Sequence, residues 1–277
     1  KHFTMTSLSI VMPVYNEEKT VAHAIDRVLS VDFPCQVELI VVNDGSSDAT
    51  AEIIDRFAGP GVIVRHLPMN QGKGSAVRAG VRQARGTHVV ILDSDLEYTP
   101  NDIPAMLMPV LRGETNHVFG TRIFGLNSRF TSLKFAVGGR ATTLAANLLF
   151  DSCVTDMHTC LKLLPVADIR AMPVREKGFG LDSEIVAHLL HAGVRPYEVP
   201  ISYVGRTIDE GKKISWRDGF ECLRILLMTR LRRPVRLPVG NITPALNSAP
   251  TVGADRWTVR RADLTETPLQ EAGLQSG

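Results

Sequence analysis

Four short runs of apolar, mostly β-branched residues punctuate the first third of the chain, at 8–14, 37–42, 62–67 and 87–92, and each reads as a buried strand. Between them apolar positions fall at helical spacing over 20–29, 48–57 and 74–85, with Ser47 or Asp48 placed to cap the second helix. The order βαβαβαβ predicts an α/β protein with a mostly parallel sheet and right-handed crossovers. Beyond residue 92 the rhythm loosens. A Pro-bounded helix at 102–112, a strand at 117–121 and a loop bearing Gly and Arg at 122–139 open the second half. Helices at 140–150 and 183–192, an extended segment at 194–204 and a last helix at 215–231 complete it. From 232 to 277 no period is sustained and Pro and Gly recur, which predicts a flexible tail with at most short docked pieces.

Composition narrows the classes. At 44% hydrophobic residues the 277-residue chain can bury a core. Its 31 Lys and Arg against 29 Asp and Glu leave a formal charge of +2, which gives no overall basic field for nucleic acid. No run approaches the roughly 18 apolar residues of a spanning helix, and no signal-peptide pattern follows Lys1, so a soluble, cytoplasmic chain is expected. Cys35, Cys153, Cys160 and Cys222 lack CxxC or zinc spacing and read as reduced thiols.

In an open parallel sheet, ligands bind beyond the carboxyl ends of the strands. That is where the polar motifs lie: PVYNEE at 13–18, NDGSSD at 43–48, NQGKG at 70–74 and LDSDLE at 92–97. Asp93, Asp95 and Glu97 alternate, so an extended segment would point three carboxylates one way. A hard cation such as Mg²⁺ or Mn²⁺ would offset their repulsion and bridge to a diphosphate. A solvated acidic turn before Pro100 is the plainer alternative. Gly72-Lys73-Gly74 begins like a dinucleotide fingerprint, but Val77 stands at the third glycine and the motif follows the third strand. Lys73 is then a candidate for facing a phosphate, with a solvated surface lysine as its plain reading.

As an ordered set, the four motifs resemble the nucleotide-sugar domain of inverting family-two glycosyltransferases of the GT-A fold, over residues 9–97. TDMHTCLK at 155–162, FGLDSE at 179–184 and RTIDEGKKISWRD at 206–218 extend the likeness to about residue 227. These are similar to bacterial relatives of dolichyl-phosphate mannosyl- and glucosyltransferases; the sequence departs from their pattern at Asn43, His158 and Leu161. The resemblance implies one GT-A domain over 7–231, with a nucleotide-sugar half at 7–97 and an acceptor half at 98–231, then the tail at 232–277. It implies base and ribose contacts at Pro13, Tyr15, Glu17 and Asp44, with Lys73 and Ser94 joining the donor set. Asp93, Asp95 and Glu97 would hold Mg²⁺ or Mn²⁺, with Asp95 acting in catalysis, and Arg206 and Lys213 lie on a basic loop that closes over the diphosphate. Arg122 and Arg140 match positions that hold a lipid phosphate. Asp156 is the base or orienting residue if the acceptor is a hydroxyl.

The implied reaction moves a sugar from a UDP- or GDP-sugar to a polyprenyl phosphate, the metal stabilising the leaving diphosphate. A soluble hydroxyl acceptor, and a nucleotide-sugar-binding module without turnover, are the alternatives. The apolar stripe Phe220, Leu223, Leu226, Leu227 and Leu231, flanked by arginines within 216–236, reads either as a helix packed on the core or another subunit of a homo-oligomer, or as a contact with an anionic membrane. The second reading would place the chain at the inner face of the cell membrane.

Overall fold

The computed structural model describes residues 6–124, 128–129, 133–178, 180–205 and 216–240. In chain order the elements are β1 (Ser7–Val14), α1 (Val21–Leu29), β2 (Gln36–Asn43), α2 (Thr50–Asp55), β3 (Val62–His66), α3 (Lys73–Gln83), β4 (His88–Ile91), α4 (Ile103–Leu111) and β5 (Val118–Thr121). They continue with β6 (Ser128–Arg129), α5 (Leu133–Phe150), β7 (Lys162–Pro165), α6 (Val166–Ala171), α7 (Gly180–His191), β8 (Tyr197–Pro200), β9 (Tyr203–Val204) and α8 (Trp216–Arg230). Seven strands form one sheet in the order β3-β2-β1-β4-β7-β5-β8, and β6 pairs in parallel with β9. All neighbours in the large sheet are parallel except β7, which runs against both β4 and β5.

Period-two alternation decides what each face buries. From β1, Leu8, Ile10, Met12 and Val14 enter one core with Ile25 of α1 and Ile103, Met106 and Leu107 of α4. Val11 turns to the opposite core, with Ile40 and Val42 of β2 and residues of α3 and α7. The approach of α3 is close: a Cβ on Gly80 would stand 2.5 Å from Val11 Cγ1, so only glycine permits this helix–strand distance. Each fully buried Val, Leu or Ile contributes about 1.5–3 kcal/mol, and the two clusters clamp the sheet from both sides.

Several boundaries differ from the sequence pattern. Helix α5 begins at Leu133, seven residues before the expected 140, because the paired Gly138 and Gly139 mask its apolar period without breaking it. Strand β7 and helix α6 have no counterpart in the expected elements. Asp48, two residues before α2, accepts from Thr50 N at 3.0 Å through its side chain. The first piece of the tail is docked: Asp168 accepts from Val239 N at 2.7 Å and Gly240 N at 3.0 Å, and Leu237 packs on the core. Residues 241–277 lie outside the described residues.

Candidate functional site

Strand β1 lies between β2 and β4, so the connections diverge at the carboxyl ends of β1 and β4 and open a crevice there. The loops after β1 and β2 are laced together on one wall. Asn16, at φ 53°, donates its N–H to Ser46 Oγ at 3.0 Å and accepts from Ser47 N at 2.8 Å. Glu17 donates its N–H to Thr50 Oγ1 at 2.9 Å, and its carboxylate accepts from Thr20 Oγ1 at 2.6 Å. Tyr15 stands exposed on this wall and Pro13 is buried behind it. Ser94 is buried and donates to Pro13 O at 3.5 Å, tying the β4 end to the β1 end.

Asp44 is buried, and its two carboxylate oxygens accept from Gln71 N at 2.8 Å and Gly72 N at 2.7 Å. In this geometry it anchors the NQGKG loop; the expected contact with a base edge is not what its oxygens face. That loop meets a second one. Gly74 donates to Lys177 O at 2.7 Å and Arg78 donates to Glu176 O at 2.9 Å. A Cβ on Gly72 would lie 2.4 Å from Lys177 O, and on Gly74 2.1 Å from Glu176 O. These glycines therefore accommodate a neighbouring backbone, which disposes of the dinucleotide alternative. Glu184, buried on α7, fixes the second loop by accepting from Arg175 N and Glu176 N, both at 2.8 Å.

The acidic motif departs from its expected geometry. Residues 93–97 turn instead of extending: Leu96 adopts φ 65° and Asp95 Oδ1 accepts from Glu97 N at 3.1 Å. Asp93 and Glu97 consequently face different partners. Asp93 Oδ2 receives Lys73 Nζ at 2.7 Å and the Cys160 thiol at 2.9 Å. Glu97 Oε2 accepts from Tyr203 OH at 3.0 Å. Among the described residues no three of His, Cys, Asp and Glu are gathered as a metal cage. Asp95, in the same turn, is partly exposed.

Behind Asp93 lies a group that sequence reasoning left without a role. Asp182, in the first turn of α7, stands 3.7 Å from Lys73 Nζ through Oδ2 and 2.9 Å from Lys162 Nζ through Oδ1. Lys162 is wholly buried and also donates to Thr159 O. Burial works against the Lys73 ammonium, yet the carboxylates of Asp93 and Asp182 hold its pKa well above the ordinary lysine value. Burial likewise opposes the Asp182 carboxylate, but Lys162 and Lys73 bring its pKa below the usual range. Burial and the Asp93 charge push the Cys160 thiol well up, so it stays protonated. Both Lys162 and Asp182 lie inside quoted motifs; the signal available was a charged residue in an otherwise apolar stretch.

On the far wall Arg122 and Asp156 form a two-pronged pair, Nε to Oδ2 at 2.6 Å and a terminal nitrogen to Oδ1 at 2.8 Å. The guanidinium lies 4.8 Å from the centre of the Tyr203 ring, which stacks at a tilt on Tyr98. Burial would raise the Asp156 pKa, but Arg122 outweighs it and holds the carboxyl below the usual range. His158 donates its N–H to Asp156 Oδ1 at 3.2 Å and its ring meets Thr142 Oγ1 of α5 at 2.6 Å. Arg140 sits on that same part of α5, exposed to solvent. Arg206 and Lys213 lie outside the described residues.

Known proteins match this chain over different extents. A dodecaprenyl-phosphate galacturonate synthase of Rhizobium johnstonii is 38% identical over 42% of this chain and 36% of its own length. A low-salt glycan biosynthesis hexosyltransferase of Haloferax volcanii is 29% identical over 98% of this chain and 62% of its own length. The chain thus spans between about one third and two thirds of the length of these curated relatives. Among solved structures, glucosyl-3-phosphoglycerate synthase from Mycobacterium tuberculosis, crystallised with Mn²⁺, UDP and phosphoglyceric acid, superposes with a TM-score of 0.60 at 23% identity, covering 81% of this chain and 78% of its own. That likeness establishes the GT-A architecture of the mixed sheet. Residues 9–151, more than half the chain, match the glycosyl transferase family 2 profile, and the chain belongs to that family.

Proposed function

We infer that this chain is a metal-assisted, inverting transferase that moves a sugar from a UDP- or GDP-sugar to a polyprenyl phosphate. The observation that carries the acceptor class is the Arg122–Asp156 pair. A carboxylate gripped at both oxygens and held ionised is a poor receiver for a hydroxyl's proton. A phosphate monoester needs no base near neutral pH; it needs positioning and an offset to like-charge repulsion, which the Arg122 guanidinium supplies. The relative named as a dodecaprenyl-phosphate galacturonate synthase supports the same acceptor class.

On the donor side, the ammonium of Lys73, the first residue of α3, favours a diphosphate. Tyr15 and Pro13 border the wall on which a base would lie, and the Asn16–Ser47 lacing fixes that wall. The residues fit Mg²⁺ or Mn²⁺, since such ions take one or two carboxylates plus substrate phosphates and Asp93 and Asp95 present two. Glu97, turned to Tyr203, belongs to the supporting layer. When bound, the ion supplies neutralisation of charge developing on the leaving diphosphate. The chain itself keeps two anions apart: Lys73 faces the donor, Arg122 the acceptor, with Asp44 and Glu184 holding the loops that fix Lys73. Arg140 is assigned to the acceptor phosphate, and Arg206 and Lys213 to closure over the diphosphate.

Of the expected α8 stripe, Leu226 is buried in the core; the exposed Leu133, Val137, Leu144 and Leu148 on α5, with Phe220, Leu223 and Leu227 on α8 and Leu231 just past it, support contact with a membrane surface, which this reading puts at the inner face of the cell. No described helix is long and apolar enough to cross a membrane. The test measures release of UDP or GDP in Mn²⁺ with and without polyprenyl phosphate. Acceptor-stimulated turnover, falling at least ~10²-fold in Asp95→Ala, is expected. Turnover untouched by Asp95→Ala overturns the metal assignment. Transfer to a hydroxyl acceptor that is lost in Asp156→Asn but insensitive to Arg122→Ala overturns the acceptor class.

A further inference from the structure

Four buried or half-buried charges form one alternating row, Lys162–Asp182–Lys73–Asp93, at 2.9, 3.7 and 2.7 Å between successive groups. The row is electrically balanced, two ammonium groups against two carboxylates. Its arrangement is uneven, because Lys73 is in full contact with Asp93 and only near Asp182. The contact it makes is with the very carboxylate that the proposed function gives to a divalent ion. A cation at the start of a helix is also locally unfavourable, and no acidic residue in the first turn of α3 relieves it. Lys73 is therefore held by Asp93 just after β4, Cys160 just before β7 and Asp182 of α7, not by its own helix.

Two cations cannot share Asp93 Oδ2 at contact distance without strong repulsion. The geometry points to Asp182 as a positioning residue that receives the Lys73 ammonium when a divalent cation and a diphosphate come to Asp93 and Asp95. Asp182 suits this purpose. Its Oδ2 already faces Lys73, and Lys162 anchors the other oxygen so that the carboxylate stays in place. Lys162 is itself fixed on the central strand β7 by Thr159 O. Moving from Asp93 to Asp182 keeps the ammonium paired throughout, so no buried charge is stranded during loading. In this arrangement Lys73 acts as a resident counter-ion that the metal displaces, then as a phosphate contact.

The inference rests on the donor-site reading above, and the experiment separates the two. Mn²⁺ binding to the full chain is followed by electron paramagnetic resonance, with the metal alone and with added UDP or GDP, and folding of each variant is checked by thermal melting. Lys73→Met, which removes the competitor, is expected to bind Mn²⁺ alone at least about threefold more tightly than wild type. Asp182→Asn, which removes the receiving carboxylate, is expected to weaken nucleotide-supported Mn²⁺ binding about tenfold. The double variant is expected to return to the Lys73→Met value, which a merely structural role for Asp182 does not produce. Because Asp182→Asn leaves Lys162 buried without its carboxylate and can fail to fold, the Lys73→Met result stands by itself: unchanged Mn²⁺ affinity there overturns the proposal. Asp182→Asn that folds and binds as wild type overturns it too. Wild-type chain that takes up no Mn²⁺ with either nucleotide overturns the donor-site reading, and this inference with it.

Discussion

Replacing Gly74 by alanine tests whether the two loops behind the crevice are held as closely as the structure shows. The added Cβ would meet Glu176 O at 2.1 Å, short of ordinary 3.4 Å contact by more than an ångström, and the obstacle is backbone on both sides. The 175–178 segment must retreat, which breaks the 2.7 Å bond from Gly74 N to Lys177 O and loosens Arg78 from Glu176 O. Overpacking of this kind costs about 1–3 kcal/mol and a lost hydrogen bond about 0.5–1.5 kcal/mol. Alanine's better helix propensity returns at most about 1 kcal/mol. The net loss is about 1–3 kcal/mol, or a fall in Tm of roughly 3–10 °C for a domain of this size. The assay is thermal unfolding by circular dichroism, with Gly178→Ala as the matched control, since a Cβ there meets nothing within 4 Å. Nucleotide affinity should fall with Tm, because Lys73 is the adjacent residue. A Gly74→Ala melt within about 1 °C of wild type would refute the reasoning.

Arg122→Ala should destabilise the fold by about 3–5 kcal/mol in denaturant unfolding, because it leaves Asp156 buried and charged; Asp156→Asn should cost less, and an inverted order would contradict the pairing. His88 and His158 are driven down to about 4, first by burial, so the folded chain keeps both neutral while unfolded imidazoles protonate near 6.5. Stability is then full above about pH 6.5 and declines as pH falls toward 4; His158→Gln should flatten that decline in Tm-versus-pH melts. Asp156 acts at lower pH, its stabilisation being complete above about 3.9 and lost as pH drops through its lowered value. Among the cysteines, Cys153 is exposed and should be labelled rapidly by a thiol reagent, half-buried Cys160 with its raised thiol more slowly, and buried Cys222 only on unfolding, as mass spectrometry of timed samples would show.

What the sequence could reveal follows from what is local. Strands β1, β2 and β4 are legible because each carries a short apolar run that the sheet buries; β3 is legible from Val62, Ile63 and Val64, although as the edge strand it is only partly buried and leaves Arg65 and His66 exposed, against the expectation of a buried strand. Strand β7 is not, because Lys162, Leu163, Leu164 and Pro165 contain no β-branched residue and open with a charge. That charge makes sense only beside Asp182, 20 residues on, and no periodicity encodes such a distance. The rim motifs are visible as composition after each strand, but their pairings are not: Arg122 meets Asp156 across 34 residues, and Asp44 spends its oxygens on a loop 27 residues away. The alternation of Asp93, Asp95 and Glu97 misleads for a definite reason, since one residue at positive φ, Leu96, converts an extended segment into a turn.

The antiparallel strand β7 has a consequence for how the chain can fold. It fills the middle of the sheet, between β4 and β5, yet it is synthesised after both. A chain that stops at residue 151, where the family match ends, leaves β4 with an open inner edge and β5 without either of its neighbours, β7 and β8. Such an edge is a template for pairing with other molecules. The segment up to residue 151 is therefore not a module that can be expressed or transplanted alone: β4 and β5 wait for β7, and the native sheet closes only through a long-range, slow-forming contact. Nascent or truncated chains should depend on chaperone protection until β7 has inserted.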